Sequence, residues 1–170
     1  SYMRFIKMGA CIVHTVDLNP PDGGIKADLE DKLPLPSGFC NSVLCMNLLE
    51  HIYNHKELVS EAHRLLKPGG LMLCCTPFMV HYHPNPHDYY RYTKDALYKM
   101  FTDVGFNVEE IRYIGLGPCS LLSENMWPFV PRLLKWLVVG LALLGDSLCR
   151  HGNRFPLYYL VVARKSSLES

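Results

Sequence analysis

Residues 42–78 read SVLCMNLLEHIYNHKELVSEAHRLLKPGGLMLCCTPF. Residues 42–46 and 71–75 are short apolar runs of Val, Leu, Met and Cys, the composition of strands buried on both faces. Between them Leu58, Val59, Ala62, Leu65 and Leu66 recur at three- and four-residue spacing, which places them on one stripe of a helix. Lys67-Pro68-Gly69-Gly70 stops that helix, because glycine accepts the left-handed conformation that closes a last turn. Strand, helix and strand in this order form a right-handed βαβ crossover between parallel strands. An α/β sheet follows, with ligands gathered at the carboxyl ends of its strands. Those ends carry Met46-Asn47-Leu48-Leu49-Glu50-His51 and Thr76-Pro77-Phe78.

The remaining sequence fits one domain around that unit. A length of 170 residues suffices for a single core, and 49% hydrophobic with 19% charged residues excludes a disordered chain. A net charge of +1, with no Lys- or Arg-rich tract, gives no electrostatic footprint for nucleic acid. Seven cysteines contain no CxxC pair, and Cys11, Cys45, Cys74 and Cys75 sit inside apolar runs as small hydrophobes. That usage argues against a disulfide framework and for a reducing, cytoplasmic compartment.

Residues 1–10 look like the end of a helix stopped at Gly9. Residues 11–16 (CIVHTV) read as a β-branched strand ending at Asp17, residues 20–24 as a turn cluster, and residues 25–27 as a brief strand ending at Asp28. Residues 33–38 are loop, because Pro34 and Pro36 block helix and sheet alike. Residues 81–93 (HYHPNPHDYYRYT) form a polar, aromatic loop longer than a connector needs, and such loops often carry function. Thr93 caps a helix through Val104 with Ala96, Leu97, Met100 and Phe101 inward, and residues 108–113 are a strand with alternating faces. Residues 121–149 are the most apolar stretch, read as a helical insertion. Its uncharged run, residues 136–145, is ten residues long, where a bilayer span needs about twenty. A helix packed on the domain, or lying in a membrane interface over residues 129–149 with Arg132 and Lys135 outward, fits better. Residues 155–164 (FPLYYLVVAR) are a final strand, apolar enough to be central or to pair antiparallel.

The segments VDLNP (16–20), KADLEDKLPLPSG (26–38), SVLCMNLLEHI (42–52), LLKPGG (65–70), HPNPHDYYRYT (83–93) and the helix ending in DVGF (103–106) together resemble class I S-adenosylmethionine-dependent methyltransferases of the type 11 group. The resemblance covers residues 11–165. It implies a Rossmann-like methyltransferase sheet with flanking helices, acting on a small-molecule or lipid-linked acceptor with S-adenosylmethionine as cofactor. Its first strand and glycine-rich loop are missing, since only sixteen residues precede Asp17 and Gly9 is their sole glycine. The chain therefore reads as one truncated domain over residues 1–170. In the family that strand lies between the strand ending at Asp17 and the one ending at Met46. Either residues 11–16 then pair directly with residues 42–46, or the N-terminal third is poorly ordered. The rival reading is a non-catalytic remnant that contacts a membrane or partner through its apolar segment.

The resemblance also assigns residues. Asp17, with Leu18 beside it, would accept hydrogen bonds from the cofactor's ribose hydroxyls, a task suited to a carboxylate's two acceptor oxygens. Asp28 and the Leu29 amide would meet the adenine, and Met46 and Asn47 the methionine end. The plainer alternatives are turn residues at Asp17 and Asp28 and core packing at Met46. His87 is the first candidate for general base, with His83 second and Asp88 orienting the imidazole. Tyr89 and Tyr90 would flank the acceptor, with His51 reaching it and Arg91 holding an anionic group. A local Asp88–Arg91 ion pair fits as well, and the loop histidines and tyrosines also suit a packed lid. Glu50 reads as a helix-dipole residue. A metal bound by HxHxxxHD (His81, His83, His87 and Asp88) is disfavoured by Pro84 and Pro86, and no metal is expected.

Overall fold

The computed structural model describes residues 11–115, 117–148 and 155–167. The expected helix end over residues 1–10 lies outside them.

The βαβ unit folds as its sequence dictates. Strand β3 (Cys40–Met46) runs parallel to β4 (Leu66–Pro77), with Ser42 opposite Leu71 and Met46 opposite Cys75. Helix α1 (His55–Leu65) joins them and buries Leu58, Val59, Ala62 and Leu65. The chain leaves α1 directly into β4 at the extended Leu66, and the left-handed residue nearby is Gly69, at φ 77°.

Helix α2 (Lys94–Asp103) begins at Thr93, whose Oγ1 accepts the Ala96 amide at 3.2 Å. Leu97 and Phe101 are fully buried, whereas Ala96 faces solvent. Strand β5 (Phe106–Ile114) follows, with its alternation broken by a bulge between Val108 and Glu110. Strand β6 (Tyr158–Lys165) inserts between β4 and β5, antiparallel to both, so the last apolar run is both central and antiparallel. The four-stranded order is β3-β4-β6-β5. Met72 and Cys74 of β4 and Val161 and Ala163 of β6 pack with α1 and α2 into one core. The other sheet face is only half covered. Leu71, Leu73 and Cys75 are partly exposed there, and Leu44 is 37% exposed, so burial on both faces does not hold among the described residues.

The amino-terminal strands differ from expectation. Only Val16–Asp17 (β1) is a strand, and it pairs in parallel with Ile25–Lys26 (β2) in a separate two-stranded ladder. Residues 11–16 do not pair with residues 42–46. Ile12 is 87% exposed, and β3 hydrogen-bonds to β4 alone among the described strands. The β-branched run has strand propensity, but it lies solvated, and among the described residues no strand pairs with residues 11–14.

The apolar stretch 121–149 is broken by its prolines into helix α3 (Pro118–Met126), 3-10 turns at Trp127–Phe129 and Arg132–Leu134, and helix α4 (Lys135–Leu148). Near the end of α4 the Asp146 carboxylate accepts the Cys119 and Ser120 amides at 2.8 and 2.9 Å and so caps α3 from a different helix. The approach requires Gly117, where a Cβ would stand 2.5 Å from Asp146 Oδ1. Gly117→Ala is expected to push the two helices apart. Asp146→Ala should cost about 1 kcal/mol through the lost cap, and amide exchange at Cys119 and Ser120 should rise in both variants.

Candidate functional site

At the tip of β3, Asn47 adopts φ 49°, a left-handed conformation that asparagine tolerates better than most residues. Its amide stays on the ladder and donates to the Cys75 carbonyl at 2.8 Å. One 3-10 turn, Leu49–His51, then buries Leu49 and Glu50 completely. The loop of residues 78–93 folds back onto this turn. The Tyr89 amide donates to the Glu50 carbonyl at 2.8 Å, the Tyr92 hydroxyl to the Leu49 carbonyl at 3.3 Å, and the Tyr90 hydroxyl to the Tyr53 carbonyl at 3.3 Å.

Two histidines converge on Glu50. His51 Nδ1 meets the His87 carbonyl at 2.5 Å, and His83 Nδ1 meets the His81 carbonyl at 2.8 Å. A carbonyl only accepts, so both Nδ1 atoms carry a proton, and in the neutral tautomer this leaves the lone pair on Nε2. This assignment also makes the 3.5 Å approach of Arg91 Nη2 to His83 Nδ1 a contact rather than a hydrogen bond. Both Nε2 atoms lie 3.7 Å from Glu50 Oε1, and the rings stand perpendicular with centroids 5.5 Å apart. Neither carboxylate oxygen of Glu50 has a hydrogen-bond partner among the described residues. Burial pushes the Glu50 carboxyl above its ordinary range, with weaker opposing pulls from its own backbone amide, the two histidines and Arg91.

Beside this cluster Arg91 grips Asp88 with both ends of its guanidinium, Nη1 to Oδ1 in close contact and Nη2 to Oδ2 at 2.7 Å. The same guanidinium donates to the carbonyls of Tyr90 at 2.9 Å and His81 at 3.3 Å. Arg91 holds the Asp88 carboxyl down at about 2. Asp88 also accepts the His83 amide at 3.0 Å. Asp88 is thus a clasp within the loop and does not orient His87, whose exposed ring lies against Tyr89 with centroids 5.3 Å apart. A cleft of about 310 Å³ opens here, lined by Val80, Tyr82, Asp88, Tyr89, Tyr90 and Arg91.

The acidic residues at the other strand tips hold their own turns. Asp17 Oδ1 accepts the Asn19 amide and Asp28 Oδ1 the Glu30 amide, each at 2.9 Å. Asp17, Leu18 and Asp28 are exposed, Met46 and Asn47 half-buried, and Leu29 packs against the core. Glu30 ties this loop to the start of α1 by accepting the amides of Tyr53 at 3.0 Å and Asn54 at 3.3 Å. It thereby brings the Asp28 turn to the end of the sheet where β3 finishes. Glu30 and Glu50 are the residues that reading the sequence missed. Glu30 sits among three acids in DLED, and Glu50 looks like any acid opening a helix.

Residues 8–74 match the family model of a methyltransferase domain. Over 85 residues the chain is 31% identical to a probable S-adenosylmethionine-dependent methyltransferase of Mycolicibacterium smegmatis, covering 46% of this chain and 33% of that protein. The chain thus spans about a third of the length of the curated relatives it matches. In fold it resembles a SAM-dependent methyltransferase of Archaeoglobus fulgidus, with a TM-score of 0.59 at 19% identity over 89% of this chain and 75% of that one. It also resembles phosphoethanolamine N-methyltransferase 2 of Haemonchus contortus in complex with S-adenosyl-L-methionine, with a TM-score of 0.57 at 16% identity over 90% of this chain and 43% of that one. With the sheet order and the βαβ unit already described, the chain is thus similar to S-adenosylmethionine-dependent methyltransferases, in sequence over its amino-terminal part and in fold over most of its length.

Proposed function

We propose that the protein transfers a methyl group from S-adenosylmethionine to a small-molecule or lipid-linked acceptor. The observation that supports this reading is the docking of the loop of residues 78–93 onto the tip of β3, with a cleft in that loop near the strand ends where cofactors of such enzymes bind. On this reading Asp17 takes the ribose hydroxyls, with Leu18 alongside. Asp28 and the Leu29 amide take the adenine, and the Met46 carbonyl and Asn47 side chain take the methionine end. Methyl transfer is an in-line displacement at a sulfonium carbon, so the protein mainly aligns donor and acceptor and excludes water. For a hydroxyl acceptor, the O–H proton passes to the His87 imidazole as the oxygen bonds the methyl carbon. The carbon–sulfur bond breaks, and its electron pair leaves with S-adenosylhomocysteine. Tyr89 and Tyr90 wall the acceptor, and His51 reaches it from the β3 tip. His83 stands second as base, since its Nδ1 is held by the His81 carbonyl and its ring is half-buried, whereas the His87 ring is exposed.

Calorimetric titration with S-adenosylmethionine tests the donor site. Binding should weaken about 10–100-fold in Asp17→Ala, the worth of a hydrogen bond to a charged group. Absence of binding to the unsubstituted protein would overturn the reading and favour a non-catalytic module.

One observation favours a membrane-facing role for the α3–α4 segment. Phe129, Leu133, Trp136 and Leu148 are 82%, 94%, 85% and 79% exposed, beside an exposed Arg132. No helix among the described residues is long and apolar enough to cross a membrane. An interfacial position, with the apolar side chains in the acyl boundary and Arg132 toward anionic headgroups, would suit a lipid-linked acceptor. Co-sedimentation with vesicles containing phosphatidylserine should be lost in Leu133→Glu/Trp136→Glu. Equal sedimentation of both proteins would exclude this contact.

A further inference from the structure

We infer that Glu50, His51 and His83 form a binding site for one divalent transition-metal ion. One ligand atom from each of these residues lies within 4.8 Å of the others, and Glu50 Oε1 is 3.7 Å from both Nε2 atoms. That spacing is too long for a hydrogen bond, so no proton is shared directly between carboxylate and imidazole in this arrangement. It is close to the about 3.0–3.6 Å that separates two ligands each about 2.1 Å from a common ion.

Three further observations point the same way. Glu50 is fully buried with both oxygens unpartnered, an arrangement that costs several kcal/mol for an isolated charge and that a cation would relieve. Each histidine has its Nδ1 proton on a backbone carbonyl, the outer hydrogen bond that metal-bound imidazoles usually make, and this leaves both Nε2 atoms beside Glu50 as the ligand atoms of the neutral tautomer. The positive charge of nearby Arg91 is already taken up by Asp88. Two imidazoles and one carboxylate suit zinc or ferrous iron rather than magnesium, and three protein ligands leave positions open for water or an acceptor oxygen. The set differs from the HxHxxxHD group legible in the sequence. His81 and His87 enter through their carbonyls and Asp88 is held by Arg91, so of that group only His83 supplies a ligand atom.

The site stands independently of methyl transfer, and its test needs no turnover. Metal-stripped protein is titrated with cobalt(II), followed by visible absorption, and with zinc, followed by calorimetry and thermal shift. One equivalent should bind, with visible bands of nitrogen and oxygen ligation and no sulfur-to-metal charge transfer. Glu50→Gln keeps the shape of the side chain, and its fold is checked by circular dichroism. Its affinity should fall by more than the 10–100-fold that loss of an outer-shell partner costs. His51→Asn/His83→Asn should not bind, while His81→Asn should bind as the unsubstituted protein does. No binding to the unsubstituted protein, or undiminished binding to the double variant, would overturn the site. A charge-transfer band would do the same by placing the ion on the thiols.

Discussion

Arg64→Met is expected to destabilise the protein by about 3 kcal/mol, because it strands a buried carboxylate. Glu61 accepts Arg64 Nε at 2.6 Å and Nη2 at 2.7 Å, and its side chain is only 6% exposed. The same carboxylate accepts the Leu33 amide at 2.7 Å. Arg64 also donates to the carbonyls of Leu35 at 2.8 Å and Leu33 at 3.2 Å, and the Gly38 amide returns to the Arg64 carbonyl at 3.0 Å. One ion pair thus anchors the proline-bearing loop that delivers the chain to β3. The Arg64 hydrogen bond holds the Glu61 carboxyl below its ordinary range. A carboxyl depressed in the folded state contributes stability that is fully present above its unfolded pKa of about 4.3 and is lost as pH falls through the lower folded value. Urea unfolding should therefore show a large gap between the two proteins at pH 7 that narrows in acid. Glu61→Gln/Arg64→Met should be less damaging than the sum of the single changes. A gap that does not change between pH 7 and pH 3 would rule this account out.

What was legible in the sequence follows from how local its cause is. The β3–α1–β4 unit was readable as strand, helix and parallel strand, because short apolar runs and a helix stripe are written in consecutive residues, whereas the start of β4 at Leu66 was not. Thr93 as a cap and the apolar final strand were readable for the same reason. Residues 11–16 show the limit of propensity. Val, Ile and Thr favour a strand, but a strand exists only where a neighbour completes its hydrogen bonds, and β2 does so for Val16 and Asp17 alone. The helical character of the apolar stretch was visible, and Pro128 and Pro131 carried the signal that it would break.

The candidate site divides along the same line. The histidine loop stood out by composition and length, but the role of each residue depends on contacts across more than thirty positions. The Tyr89 amide holds the loop on the buried Glu50 through its carbonyl, and His51 is oriented by the carbonyl of His87. Nothing within LEH distinguishes that glutamate from a solvated one, since its burial belongs to the folded loop and not to its neighbours in sequence. The Asp88–Arg91 pair was one of two readings, and three-residue spacing alone did not choose between them. Arg91 in fact serves the carbonyls of His81 and Tyr90 as well as Asp88, which makes it the organiser of the loop.

On the proposed function, Arg91→Met should consequently disorder the loop proposed to wall the acceptor while sparing the proposed donor site. The Asp88 side chain is 1% exposed, and without the guanidinium its charge is left buried against the His83 amide, a loss of about 3 kcal/mol if the loop stayed in place. The loop is instead expected to open locally, since a local opening solvates Asp88 without unfolding the core. Amide exchange at Tyr89, whose hydrogen bond to Glu50 closes the loop on the β3 tip, should accelerate strongly, with exchange in β4 and β6 unchanged. On that same reading, affinity for S-adenosylmethionine should stay within about twofold, because Arg91 forms its hydrogen bonds with Asp88, Tyr90 and His81 and not with Asp17, Asp28 or Asn47, whereas methyl transfer should fall about 10²-fold through misplacement of the loop. Arg91→Lys should recover little, since an ammonium cannot bridge both Asp88 oxygens while serving two carbonyls. Unchanged Tyr89 exchange in Arg91→Met would show that the aromatic contacts of Tyr89, Tyr90 and Tyr92 hold the loop by themselves.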